Sequence, residues 1–459
     1  MMNLKSFLGL VAVALMAACT TEKPADENPV LTIEGGQVQG VLTDSTNVMV
    51  YKGIPYAAPP VGDLRWKRPQ PVKPWEGVLV ADKWGNASIQ ADHNPGEFYT
   101  EEFYFGGDPA RSEDCLYLNV WAPAQTVGKT DAKLPVAMWV HGGAYSAGWG
   151  HEITMDGDAW AKRGVILVTI NYRLGVLGFL SHPLLSKEDV DGVSGNYGTW
   201  DQVAALKWIK KNIAQFGGDP DNIMIFGQSA GAASIKNLVV SNESKKLVSK
   251  AIIQSIGGLG EVIPGPAQDV AEAQGKDIMD AGGLTTLEAM RAATPAQLSE
   301  AFSKYMAEKK TWVMLVPHTD GRLLGKPFTE AAMDNTIADI PYMLGSTLDD
   351  MMPTMGEGID QFAFLRETQS KNPVYAYRFD RRLPGEPNTA YHSSELWFVF
   401  KTLKNSRRPF TPADYELSER MVDYWTNFAK YGNPNGNGVD GEWKADTQAN
   451  PFVMHLDVK

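Results

Sequence analysis

One six-residue run constrains this chain more than any other: Phe226-Gly227-Gln228-Ser229-Ala230-Gly231. The apolar stretch Asn222 to Phe226 leads into it and reads as a buried strand, and Ala230 to Val240 leads out and reads as a helix. A G-x-S-x-G turn in strand–turn–helix context holds its serine at the tip of a sharp bend, with the hydroxyl presented outward. Ser229 is therefore the expected nucleophile, and the chain is expected to belong to the α/β class.

The pattern around this turn agrees. Tyr117 to Trp121, Val136 to Val140, Ile166 to Asn171, Ala251 to Gln254, Ile340 to Leu344 and Val374 to Phe379 read as strands, and Thr199 to Phe216 and Asp414 to Tyr431 as helices. Strands alternating with helices predict a central, mostly parallel sheet flanked by helices. Gly217-Gly218 and Asp219-Pro220 end the helix that precedes the turn. Leu31 to Val41 reads as a hairpin about Gly35-Gly36. The proline-rich stretch Lys52 to Trp75 reads as an extended surface connection. Residues 265–335 read as helical cap elements within a single catalytic domain spanning 31–459.

A serine hydroxyl needs a base to take its proton and an acid to orient the base. The expected chain order is Ser, acid, His. Of the seven histidines, His392 follows a strand and precedes a helix late in the chain, where a loop can carry it over Ser229. Asp349 and Asp350 sit at the carboxyl end of the strand Ile340 to Leu344, where sites in open α/β sheets gather; position alone does not separate them. His141-Gly142-Gly143-Ala144 follows the strand Val136 to Val140 and matches an oxyanion loop. Gly143, Ala144 and Ala230 are the expected N–H donors, and His141 is expected to orient the loop. No His/Cys/Asp cluster has metal-ligand spacing, so neither a metal nor an organic cofactor is expected.

A net charge of −12 argues against a nucleic-acid partner. Phe7 to Ala18 is apolar but too short to cross a bilayer, and Leu15-Met16-Ala17-Ala18-Cys19 resembles a bacterial lipoprotein cleavage box. Residues 1–18 are thus expected to be a signal peptide, 19–30 a flexible tether, and Cys19 the lipid anchor that is the chain's only link to a membrane. Thr20 in place of Asp favours the outer membrane. Cys115 is expected to be a buried small side chain.

Taken together these motifs resemble the type-B carboxylesterase family, relatives of the cholinesterases and bacterial para-nitrobenzyl esterase. The resemblance is carried by Tyr51 to Ala57, Leu64-Arg65-Trp66, Ser112 to Val120, Trp139 to Gly143, Asn171 to Leu174, Gly195 to Gly198 with Asp201-Gln202, and Phe216 to Pro220 before the Ser229 turn. It implies an α/β-hydrolase fold and hydrolysis of small carboxylic esters through an acyl-enzyme. It prefers Asp350 to Asp349 as the acid and matches His392 to the base. The same catalyst would also serve an amide, carbamate or lactone, and a non-catalytic binding role is the remaining alternative. Four departures stand out: the acid is usually Glu, the residue before the serine is Gln228 instead of Glu, Ser88 replaces the usual disulfide partner of Cys115, and only 41 residues separate Asp350 from His392.

Overall fold

The computed structural model describes residues 28–310, 313–436, 438–439 and 442–459. The expected signal peptide, Cys19 and most of the expected tether lie outside the described residues. Thirteen strands follow in chain order: β1 (Val30–Ile33), β2 (Gly36–Gln39), β3 (Val41–Leu42), β4 (Val48–Pro55), β5 (Val78–Val80), β6 (Tyr117–Pro123), β7 (Leu134–Val140), β8 (Ile166–Ile170), β9 (Gly218–Gln228), β10 (Lys250–Gln254), β11 (Tyr342–Thr347), β12 (Val374–Phe379) and β13 (Val453–Leu456). Ten of them form one sheet in the order β13-β12-β11-β10-β9-β7-β8-β6-β4-β3. Pairing is parallel from β13 through β8 and antiparallel from β8 to β3. The sheet is thus mostly parallel with an antiparallel edge. A small sheet, β1-β2-β5, contains the hairpin about Gly35-Gly36.

Alternate residues of the central strands feed two separate apolar layers. Ile223 and Ile225 of β9 join one and Met224 and Phe226 the other, all fully buried. This explains why the central strands read as continuous apolar runs: both faces are covered. The helices Tyr197–Asn212 and Ala230–Val240 cover the first face through residues such as Leu206, Ile235 and Leu238. The closing helix Pro412–Tyr431 covers the second through Leu417, Met421 and Trp425. Helices Gln268–Ala281, Leu287–Ala292, Pro295–Lys309 and Phe328–Met333 occupy the 265–335 region.

The stretch after Lys52 differs from the expected surface connection. β4 continues to Pro55 through a register shift, and Tyr56, Ala57 and Trp66 are buried. The Tyr56 hydroxyl donates to the Asn171 carbonyl at 2.6 Å and the Trp66 indole to the Val176 carbonyl at 2.9 Å. The prolines rule out a helix, but the aromatic side chains between them pack into the first apolar layer.

Candidate active site

β9 runs directly into the helix Ala230–Val240, and Ser229 between them has φ 57° and ψ −126°. A side-chain-bearing residue adopts such a conformation only when its surroundings impose it, at about 1–3 kcal/mol. The constraint is visible. Ser229 N–H donates to the Gln254 carbonyl on β10 and Ala233 N–H donates back to the Ser229 carbonyl, both at 2.9 Å. The flanking glycines are required by close approach: a Cβ on Gly231 would lie 2.1 Å from the Val140 carbonyl oxygen, and one on Gly227 would lie 2.6 Å from Gly231 backbone. Helix and strand can meet at this angle only without those side chains.

The end of β7 supplies the facing loop. Gly143 (φ 96°), Ala144 (φ 54°) and Tyr145 (φ 59°) all lie in the left-handed region, and a Cβ on Gly143 would sit 2.2 Å from the Ala147 carbonyl oxygen. The reversed backbone is closed by Ser146 and Ala147 N–H groups, which both donate to the Gly143 carbonyl at 2.9 Å. The N–H groups of Gly143, Ala144 and Ala230 have no backbone acceptor among the described residues. They are available to a developing oxyanion. His141 is fully buried and stacked on Tyr172, with Nδ1 2.8 Å from the Gly142 carbonyl oxygen. Burial pulls its pKa down to about 4, so it is a neutral structural ring.

The structure separates the two aspartates that position alone left open. Asp350 Oδ1 lies 2.7 Å from His392 Nδ1, and its carboxylate also accepts the Thr347 and Met351 N–H groups at 3.1 and 2.8 Å. Burial pushes this carboxyl up, but the imidazole bond and charge, the Ser255 hydroxyl and the Thr347 N–H outweigh it and hold it below the usual range. Asp349 points elsewhere: it accepts the Ala390 N–H at 3.0 Å and pairs with Arg382 at 3.1 Å. A bridge between Asp349 and Tyr391 draws the two loops together, so the shorter acid side chain still reaches the ring. Residues 351–391 hold only one helix, Met355–Gln369, one strand, β12, and connecting loops.

His392 is buried, with its carbonyl accepting the Tyr99 hydroxyl at 3.3 Å. Its Nε2 lies 3.1 Å from Gln228 Nε2. Among the described residues no hydrogen bond joins that nitrogen to Ser229 Oγ. A cavity of about 300 Å³ opens over Ser229 and His392. Tyr99, Phe103, Tyr104, Met155 and Met351 give it apolar walls, and Glu97 and Glu152 give it carboxylates. Glu152 is nearly inaccessible and accepts the Trp149 N–H at 3.1 Å; burial raises its pKa to about 8 despite that bond. Nothing in the sequence marked Glu152 or Tyr99, because each reaches the cavity from a loop or a short helix without a motif. Tyr145, Trp149, Trp200 and Trp397 are buried and do not line this cavity. Cys115 is free and buried beside Ser88, and burial pushes its thiol up. Among the described residues no group of three His, Cys, Asp or Glu side chains is placed to hold a metal ion.

The model of the carboxylesterase family matches residues 27–366 and 358–459. The chain belongs to the carboxylesterase family. It is a carboxylic ester hydrolase with the α/β-hydrolase fold. Para-nitrobenzyl esterase of Bacillus subtilis is 35% identical to this carboxylesterase, over 93% of its chain and 94% of the relative's. Fumonisin B1 esterase of Sphingopyxis macrogoltabida is 33% identical over 95% and 87%. A solved thermophilic para-nitrobenzyl esterase superposes with a TM-score of 0.80 at 30% identity, covering 94% of this chain and 96% of the other. A carboxylesterase of Geobacillus stearothermophilus does so with 0.76 at 31%, covering 93% and 96%.

Proposed function

We propose that this carboxylesterase works through Ser229, His392 and Asp350, with Gly143, Ala144 and Ala230 as oxyanion donors. The carrying observation is the Asp350–His392 contact of 2.7 Å beside the strained Ser229 turn. Asp350 fixes the proton on Nδ1 and leaves Nε2 basic. His392 takes the Ser229 proton as Oγ attacks the ester carbonyl, three N–H groups hold the oxyanion, and the imidazolium returns the proton to the departing alcohol. Water then repeats the cycle to release the acid. The lining carries no Lys or Arg among the described residues, and Glu152 within it stays protonated at neutral pH. Neutral esters with apolar or aromatic groups therefore fit, and polycarboxylate acyl groups find no cationic partner there. A fluorophosphonate probe should label wild type and not Ser229→Ala; unlabelled, folded wild type would favour a binding role. A panel of neutral and anionic esters, with matched amides and lactones, tests the substrate class.

We also propose export as a lipoprotein held at the outer membrane through Cys19, supported by the apolar run ending at Ala18 and the Leu15–Cys19 box. A palmitate-type metabolic label should enter the protein and be lost in Cys19→Ser.

A further inference from the structure

The unusual contact in this site is between Gln228 and the base. With Asp350 ionised and facing Nδ1, the imidazole proton sits on Nδ1 and Nε2 presents a lone pair. The Gln228 amide at 3.1 Å is then a donor into that lone pair. Gln228 is 2% exposed. Its carbonyl and side-chain oxygens lie 2.9 and 3.1 Å from where a Cβ on Gly142 would stand, so the side chain lies between His392 and the Gly142–Gly143 loop. It also borders the cavity.

We infer that Gln228 is a positioning residue that occupies the basic nitrogen of His392 in the free enzyme and yields it to Ser229 when an ester fills the cavity. The inference rests on the proposed roles of Ser229 and His392. A lone pair accepts one good hydrogen bond at a time, so the Gln228 N–H and the Ser229 O–H compete for Nε2. A carboxylate in place of the Gln228 amide would instead draw a proton onto Nε2. When substrate displaces the amide, the proton of Ser229 passes to Nε2 as the Oγ–acyl bond forms. Gln228, being uncharged, does not hold that proton back from the leaving alkoxide.

The test compares wild type, Gln228→Glu and Gln228→Met by fluorophosphonate labelling of Ser229 across pH, with thermal unfolding to confirm folding. Gln228→Glu should move the acid limb of labelling up by about one unit or more. Gln228→Met removes the competing donor and should speed labelling at plateau pH by about fivefold, the equivalent of one hydrogen bond. An unmoved acid limb in folded Gln228→Glu overturns the inference. If that variant does not fold, the Met variant decides: an unchanged or slower plateau rate overturns it. Failure of wild type to label at any pH counts against the Ser229 roles instead, so the two readings fail separately.

Discussion

The carboxylate of Asp349 accepts the backbone N–H of Ala390 at 3.0 Å, two residues before the histidine that Asp350 contacts through its side chain. Adjacent aspartates thus hold the same loop in different ways, one by its backbone and one by its imidazole. On the proposed roles, Asp350→Ala removes the group that fixes the tautomer and should lower kcat by about 10³–10⁴-fold. Asp349→Ala loses a backbone anchor and a partly exposed ion pair with Arg382. Its cost should stay near tenfold or less. Steady-state ester hydrolysis by both variants decides, and a larger loss in Asp349→Ala would move the acid assignment.

Gly143→Ala should leave the protein folded but poorly active. The backbone there has φ 96°, and the new methyl carbon would stand 2.2 Å from the Ala147 carbonyl oxygen. Relief requires the loop to turn, which takes its N–H groups out of line with the oxyanion. A loss of about 10²-fold in kcat with little change in KM is expected. A KM effect alone would mean that the loop binds ester without holding the transition state.

How much of this was legible in the sequence depends on distance along the chain. The Ser229 turn is local: apolar strand, glycines and helix lie within about twenty residues, so the pattern and the observed strain agree. The Asp350–His392 contact is not local. Asp349 and Asp350 share position and chemistry, and only the pairing of Asp349 with Tyr391 and Ala390 turns one carboxylate away from the ring. The Gln228 contact with His392 spans 164 residues; the residue type was visible but its partner was not. β13 leaves no signal in the sequence because it is short and pairs on one side only, with β12, so no buried apolar run announces it. The buried aromatics after Lys52 are not legible for a different reason, since proline content reports backbone irregularity and not depth.

Behind the loop that carries Gly143 and Ala144, Arg173 and Asp201 form a doubly hydrogen-bonded pair, at 2.7 and 2.8 Å, with both side chains almost wholly buried. Asp201 also accepts the Arg173 N–H at 3.0 Å, and two residues on, Gly175 N–H donates to the Tyr145 carbonyl of the loop at 2.7 Å. Asp201→Asn leaves the guanidinium charge buried without its counterion. Destabilisation of about 3–5 kcal/mol is expected in urea unfolding. The paired substitution Arg173→Met with Asp201→Leu should recover part of that loss, because no charge is then stranded. Equal losses in the single and double variants would count against the pair as the source.

Glu152 gives the cavity a measurable pH signature. Its carboxyl is carried from an ordinary 4.5 to about 8, first by burial and against the hydrogen bonds from Trp149 and Tyr104. Below pH 4.5 it is protonated in both folded and unfolded chains and contributes no pH dependence. Between 4.5 and 8 the unfolded chain releases the proton while the native protein keeps it, so this group lowers stability as pH rises. Above 8 both forms are ionised and the effect levels off. Glu152→Gln keeps the shape and hydrogen-bonding capacity but cannot ionise. Its melting temperature relative to wild type should therefore climb by about 3 °C or more between pH 5 and pH 8.5. Thermal unfolding at matched ionic strength checks this. A difference that stays constant with pH would show that Glu152 ionises normally in the folded protein, and the cavity would then carry a negative charge at neutral pH.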